Sequence, residues 1–212
     1  MVSFKKKSDL GWYFYRLRMD YEFDKKIKWW IDIFIIDQIF RKINYGNGIG
    51  YNYSLWRFHR RAAKDKAGHQ VSFCCYTTLK DSKLIEKALT GTNAFKLLSE
   101  SGLLKEYFRE KGGDDIAGSS DGNWSWKIQK SWPYFAKGAS ESILELIRLI
   151  TEQTYKPNNF KSMIDAQDCY EKVSEELKLI WYNEGGHAFF HHLNALFGYE
   201  LTKTKQTIIT SF

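Results

Sequence analysis

Four basic residues are the first candidates for binding chemistry, because their spacing would place them in one stripe along a helix: Arg57, Arg60, Arg61 and Lys64. Residues at i, i+3, i+4 and i+7 lie together on one helical face. Guanidinium groups match phosphate oxygens as two-pronged donors, so such a stripe can bind anions. We therefore predict a surface for a phosphate-bearing ligand, a nucleic acid or an acidic protein. The alternative is an ordinary solvated face.

A second candidate site lies in the segment EGGHAFFHH near the C-terminus. If a helix continues through its glycines, His187 and His191 lie one turn apart, with Glu184 on the same side. Glu-x-x-His pairs ligate metals in di-iron helical bundles, but such sites need a second pair, which the chain lacks. The zinc-protease pattern H-E-x-x-H is also absent, because alanine follows His187. We expect polar packing here, with metal binding or acid–base catalysis as the alternative; no particular cofactor is predicted.

Nucleophilic chemistry at Cys74 or Cys75, with His59 or His69 as a base, is a third possibility. Both cysteines lie inside an apolar run that indicates a covered strand, where a thiolate is disfavoured. We therefore expect inert core cysteines. The serine-hydrolase pattern G-x-S-x-G and the phosphate-loop pattern G-x-x-x-x-G-K-[ST] are both missing, which lowers the weight of the common hydrolase and nucleotide-binding families.

The composition is that of a folded, basic, aromatic-rich protein. The chain has 212 residues, 43% of them hydrophobic and 17% aromatic, with a net charge of +7 and a pI near 9.1. This argues against disorder and permits anionic partners. Three cysteines without a C-x-x-C pattern, and no signal-type N-terminus, indicate a cytoplasmic protein. The apolar run 27–40 is interrupted by Asp32 and Asp37 and is too short to span a membrane.

The hydrophobic run 27–40 is apolar around most of its circumference, so we predict a helix that is buried on most sides or pairs with a second copy. Residues 70–78 are the best strand candidate, since they are a nearly continuous run of β-branched, aromatic and cysteine residues. The other predicted elements of the N-terminal half are a helix or strand over 10–20, a turn over 44–52, a helix over 54–67 ended by Gly68, a helix from 81 or 82 and a short helix over 93–101. Those of the C-terminal half are a strand over 103–109 joined by a β-α-β crossover, a polar loop over 112–123 and a helix from 141. A helical region over 162–197, broken or kinked at Gly185 and Gly186, and a tail follow.

Together these elements predict an α+β fold: a mostly helical single domain with a small mixed sheet centred on residues 70–78 and helices packed on both faces. We divide it into an N-terminal helical segment (1–45), an α/β core (54–150), a C-terminal helical segment (160–198) and a tail (202–212). We predict a non-enzymatic binding protein that recognises an anionic partner. A homodimer is also expected. The alternatives are an enzyme using Glu184, His187 and His191, and a protein-interaction factor with exposed aromatic helices.

Overall fold

Four strands form one sheet in the order β2-β3-β1-β4, and each strand is antiparallel to its neighbours. The computed structural model describes residues 9–22, 25–45, 53–154 and 160–198. The strands are β1 (Leu10–Met19), β2 (Leu55–Ala62), β3 (His69–Thr78) and β4 (Leu104–Lys111). The helices are α1 (Trp29–Ile35), α2 (Arg41–Tyr45), α3 (Leu79–Thr90), α4 (Asn93–Glu100), α5 (Trp126–Thr154), α6 (Met163–Gly185) and α7 (His192–Leu196). π-helical segments join α1 to α2 (Ile36–Phe40) and α6 to α7 (Gly186–His191), and a 3-10 helix covers Ile116–Ser119.

The central helix, which we define as residues 29–45, is apolar on all sides because it is covered on opposite sides. It lies between the sheet and α6: Phe40 packs against Phe73 of β3 at 5.3 Å between ring centroids, and Phe34 packs against Tyr170 of α6 at the same distance. A helix covered on opposite sides needs apolar residues around its whole circumference. The first of the two predicted alternatives, burial within the chain, is therefore confirmed. The surface on which a homodimer was expected is not accessible.

β1 is the strand of the two alternatives, helix or strand, that are predicted over residues 10–20. Its residues alternate between the main core and the opposite side of the sheet, with Tyr13, Tyr15 and Leu17 buried in that core. The run of consecutive aromatics at 12–15 suits a strand that places large side chains on both of its faces, whereas an amphipathic helix would expose part of it. The N-terminal helical segment 1–45 is thus wrong for its first element.

The predicted helix over 54–67 is also wrong, because this segment forms β2 and a hairpin turn. β2 pairs with β3 from Leu55 opposite Tyr76 to Ala62 opposite His69. In the turn, the Asp65 carboxylate accepts hydrogen bonds from the backbone N–H groups of Ala67 and Gly68. Gly68 has φ +56°, a left-handed conformation that favours glycine, so it ends a hairpin loop instead of a helix.

The connectivity is β-α-β-β-α-β, an arrangement known as ferredoxin-like or split β-α-β. The expected α+β, mostly helical fold with a sheet containing residues 70–78 is confirmed. The predicted second strand is present as β4, but it pairs with β1 and not with β3. The sheet is antiparallel where a mixed sheet was expected. The long helices of the described ranges pack against one face or along the β2 edge, not on both faces.

The helix α5 closes the β2 edge of the sheet, where the backbone N–H of Phe58 donates to Ser140 Oγ at 3.3 Å. This helix begins at Trp126, well before the predicted start at 141, and it contains Pro133. Proline has no N–H, so the carbonyl of Gln129 loses its helical donor. Ser120 supplies a replacement, because its hydroxyl donates to that carbonyl at 2.8 Å.

α6 continues through the second π-helical segment into α7 as one helical run, which is antiparallel to α5. Of the two alternatives predicted at Gly185 and Gly186, a break or a kink, the break does not occur. The helix changes to π-helical geometry at Gly186. No helix in the described ranges is both long enough and apolar enough to cross a membrane. The predicted tail 202–212 and most of the predicted turn 44–52 lie outside the described residues.

Candidate functional site: the open face of the sheet

The side of the sheet that faces away from the central helix carries most of the accessible charged side chains of the strands. We call it the open face; the backbone alternation of the four strands determines its residues. At one end, Trp12 is fully buried beneath the 3-10 helix, and its indole N–H donates to the carbonyl of Ile116 at 2.9 Å. The remainder of the face has no long helix above it in the described ranges.

Strand pairing arranges this remainder in three rows that each cross all four strands in the order β2, β3, β1, β4. The rows are Arg57–Cys74–Phe14–Glu110, His59–Ser72–Arg16–Phe108 and Arg61–Gln70–Arg18–Glu106. Neighbouring strands lie about 4.8 Å apart, so each row is about 14 Å long. The result is a shallow platform that combines arginines with two aromatic rings.

Both aromatic rings of the platform, Phe14 and Phe108, are half-buried and carry an arginine over one face. The guanidinium carbon of Arg16 lies 5.1 Å from the Phe14 centroid, and that of Arg18 lies 4.8 Å from the Phe108 centroid. Cation–π contacts of this kind hold each arginine against an aromatic ring. Arginine and phenylalanine side chains of β1 and β4 therefore lie side by side on the platform.

Charge is distributed unevenly across the open face. On the β4 side, Arg16 pairs with Glu110 at 3.0 Å and Arg18 with Glu106 at 2.7 Å. Both glutamates are more than half exposed, so these ion pairs contribute little stability and can be exchanged for another anion. On the β2 side, Arg61 pairs with Asp65, whereas Arg57 has no carboxylate partner among the described residues.

Arg57 is the residue of the β2 side with the least satisfied guanidinium group. Its Nη2 donates to the Ser119 carbonyl at 3.2 Å, and no carboxylate pairs with it among the described residues. Its Nε and the hydroxyl of Ser119 are both buried and have no hydrogen-bond partner in the described part of the chain. Buried polar atoms without partners are uncommon, and an ordered water between the two groups would satisfy both.

His59 reports the electrostatic character of the platform. Desolvation by neighbouring side chains lowers its pKa, and the positive charges of Arg57, Arg61 and Arg16 lower it further. The imidazole is therefore neutral at pH 7, and it acquires a charge only below its usual range.

The four predicted anion-binding residues are separated by the strand. Arg57 and Arg61 lie on the open face, although Arg61 also forms an ion pair with Asp65. Arg60 points to the opposite face, and Lys64 is exposed in the hairpin turn. A period of two applies in a strand, so residues that share a helical stripe at i and i+3 fall on opposite faces. The missed partners Arg16 and Arg18 come from β1, and only the tertiary pairing brings them to Arg57 and Arg61.

Arg60 belongs instead to a buried ionic cluster with Asp32 and His69. Its Nε donates to Asp32 Oδ2 at 3.0 Å, and His69 Nε2 lies 2.6 Å from Asp32 Oδ1. Asp32 is fully buried and His69 is almost fully buried. A charged residue inside an apolar helix was the sequence signal for this cluster, since a buried carboxylate requires partners.

The second predicted site lies at the end of α6 and in the π-helical segment that follows it, where the structure brings the histidines together. Glu184, His187 and His191 are exposed, and the rings of His187 and His191 stack at 5.1 Å between centroids. His192 contacts both rings edge to face. No group of three or more metal-ligating side chains was found in the described ranges. The arrangement supports ring packing between histidines.

The three cysteines are unsuited to nucleophilic chemistry. All are buried and unpaired: Cys74, Cys75 and Cys169. Burial raises the pKa of each thiol, to about 11 for Cys169. A protonated thiol is a poor nucleophile.

Comparison with protein families, characterised proteins and solved structures found no significant match to this chain. The connectivity by itself does not define a function, because one fold can carry many sites.

Proposed function

We propose that the protein is a binding protein for single-stranded nucleic acid, which it holds on the open face of the sheet. The observation that carries the proposal is the combination of Phe14 and Phe108 with Arg16, Arg18 and Arg57 on one uncovered platform. Proteins that bind single strands combine aromatic rings, on which bases stack, with cations along the phosphate backbone. Bases must be unpaired to reach such rings, so a single strand fits better than a duplex.

The charges support a phosphate backbone that crosses the β2 side, with bases directed towards β1 and β4. No carboxylate among the described residues pairs with Arg57, and Arg61 is the next open-face arginine on the same strand. The exposed pairs of Arg16 and Arg18 with glutamates can be replaced by arginine–phosphate pairs, which are also bidentate. A platform about 14 Å wide accommodates two or three nucleotides.

Fluorescence anisotropy with labelled single-stranded RNA and DNA oligonucleotides tests the proposal. Three or four phosphate contacts predict a slope of about −2 to −3 for log affinity against log salt concentration. The Arg57→Ala/Arg61→Ala protein should bind more weakly, with a slope that is about 1.4 shallower. A matched control, Lys83→Ala/Lys87→Ala, removes two exposed charges from α3 and should change neither quantity by more than a small amount.

The aromatic part of the platform is tested separately with Phe14→Ala/Phe108→Ala. Stacking contributes about 1–3 kcal/mol per base, so affinity should fall about 5- to 150-fold for each base lost while the salt slope stays the same. Circular dichroism confirms that each variant is folded. Equal binding by wild type and both double variants, or tighter binding of a duplex than of a single strand, would refute the proposal. Binding of an acidic protein or of inorganic phosphate alone would favour the other anionic partners.

A second candidate function, self-association through exposed aromatic helices, rests on the C-terminal arm, which we define as residues 181–198. Its apolar side chains are largely exposed: Trp181 50%, Tyr182 85%, Phe190 59%, Leu196 83% and Phe197 70%. A groove of about 640 Å³ lies between the arm and α5. Large exposed apolar patches mark interaction sites. Because both helices of the antiparallel pair expose apolar residues, a second copy can complete a four-helix bundle.

Light scattering after size exclusion tests this candidate. The mass should rise from 25.0 kDa towards twice that value between about 1 and about 200 µM protein. Tyr182→Glu/Leu196→Glu should remain monomeric, whereas Asn183→Glu on the same arm should behave as wild type. A constant monomer mass in wild type would contradict it.

A further inference from the structure

A second cavity lies on the opposite side of the sheet from the open face, between β2, the start of α1, α5 and α6. Its volume is about 500 Å³, within the range of about 300–1,000 Å³ that is typical of small-molecule sites. Most of its wall is apolar and comes from Phe58, Ile143, Leu146, Leu177, Ile180 and Trp181. The wall also contains the cationic side chains of Arg60 and Lys178.

Arg60 is held rigidly at this wall. Its Nε donates to the buried Asp32 at 3.0 Å, its Nη2 donates to the Trp29 carbonyl at 3.3 Å, and its guanidinium carbon lies 5.2 Å from the Trp29 ring centroid. Asp32 is fixed in turn by His69 at 2.6 Å. None of the hydrogen bonds among the described residues uses Nη1 of Arg60. The cluster therefore fixes a cation at the wall of an apolar cavity, and two of its five N–H groups are used by these contacts.

We propose that this cavity binds a monoanionic amphipathic molecule: a carboxylic acid with an unbranched apolar tail, of the fatty-acid type. The carboxylate accepts a hydrogen bond from Arg60 Nη1, and the tail packs against the apolar wall. Because Asp32 already pairs with Arg60 at 3.0 Å, the net positive charge at the anchor is small, which matches a monoanion better than a doubly charged phosphate. Lys178 adds a second positive charge; its side chain is 71% exposed and pairs with Glu175 at 3.2 Å.

The charge of the anchor distinguishes a carboxylate from other apolar ligands. An alcohol of the same length offers the same tail without the charge, and an alkylammonium ion is repelled by Arg60 and Lys178. Each buried methylene group should increase affinity about fourfold until the cavity is full. A series of tail lengths therefore measures the apolar wall, and a series of head groups measures the anchor.

Isothermal titration calorimetry of the full chain with straight-chain carboxylates of about six to about fourteen carbons tests the inference. We expect affinity to rise with length and then to level off. The alcohol of optimal length should bind at least about tenfold more weakly, since hydrogen bonds to charged groups are the stronger ones. Equal affinity for carboxylate and alcohol, or no binding at any length, would overturn it.

Two substitutions place the ligand in this cavity. Ser174→Trp fills it from the half-buried face of α6 and should abolish binding, whereas Gln167→Trp adds the same bulk at an exposed position of α6 that does not line it. Arg60→Gln should weaken carboxylates and leave alcohols unchanged. If Arg60→Gln does not fold, Lys178→Gln provides a milder test with the same direction. Carboxylate binding that survives Ser174→Trp in a folded protein would overturn the assignment. Oligonucleotide binding at the open face is a separate assay, so the two proposals fail independently.

Discussion

Replacement of Asp32 by asparagine should strongly destabilise this protein. The substitution keeps the volume of the side chain but removes the buried negative charge between Arg60 and His69. Breaking a buried ion pair costs roughly 3–5 kcal/mol. The Arg60 side chain remains 25% exposed and can recover some hydration, so we expect about 3 kcal/mol, the lower end of this range.

A loss of about 3 kcal/mol in a protein of this size lowers Tm by about 6–12 °C. Thermal and urea denaturation, monitored by circular dichroism, measure the changes in Tm and in the free energy of unfolding, with Glu100→Gln as the control. Glu100 forms an exposed pair with Lys96 at 3.7 Å, so its loss should cost less than about 0.5 kcal/mol. In a double-mutant cycle, Asp32→Asn and Arg60→Gln should show a coupling energy of about 1–3 kcal/mol. A Tm for Asp32→Asn equal to that of the control would refute the buried ion pair.

Three further predictions concern other parts of the molecule. Tyr170→Phe removes the hydroxyl that donates to the buried Asp37 at 2.5 Å, and should lower the free energy of unfolding by about 2 kcal/mol in urea denaturation; a loss under about 0.5 kcal/mol would contradict this. Because burial raises the thiol pKa values, a disulfide reagent at pH 8 should react slowly with the native protein and rapidly after denaturation, and fast native labelling would show that the cysteines are accessible. Oligonucleotide affinity should rise as pH falls through the lowered pKa of His59, below the ordinary value of about 6.5, and His59→Gln should lose this dependence.

The lowered pKa of His59 also predicts the direction in which the free energy of unfolding changes with pH. A histidine whose pKa is lower in the folded than in the unfolded state binds fewer protons when folded. The free energy of unfolding therefore declines as pH falls through the pKa of His59 in the unfolded chain, near 6.5, towards its lowered pKa in the folded protein. His59→Gln should accordingly reduce the loss of stability between pH 7 and pH 5, and an unchanged pH profile would contradict the assigned direction.

The sequence pattern was sufficient for the elements whose burial leaves no ambiguity. Residues 70–78 indicate a covered strand because they are a nearly continuous run of β-branched, aromatic and cysteine residues, and the central helix is predicted to be buried because its apolar arc exceeds one face. Residues 54–67 were ambiguous: the arginines satisfy a helical spacing, while Trp56 and Phe58 alternate with Leu55 and Arg57 as in a strand. Pairing with β3 decided between them, and this long-range interaction is absent from local propensity.

The candidate site was only partly accessible to sequence reasoning for the same reason. Arg57 and Arg61 were identified by charge, but their partners Arg16 and Phe108 lie on strands far away in the chain. Arg60 was assigned to the wrong surface because the period of the element was wrong. The buried Asp32 was visible in the sequence as an interruption of an apolar run, yet its partners follow only from the packing of the central helix on the sheet.

Photo-crosslinking of a single-stranded RNA that contains 4-thiouridine, followed by mass spectrometry of the linked peptides, tests the central claim most directly. The proposal predicts crosslinks to β1 and β4 at Phe14 or Phe108, with fewer crosslinks in the Phe14→Ala/Phe108→Ala protein and in high salt. Crosslinks confined to the C-terminal arm, or their absence from β1 and β4 at low salt, would contradict binding on the open face of the sheet.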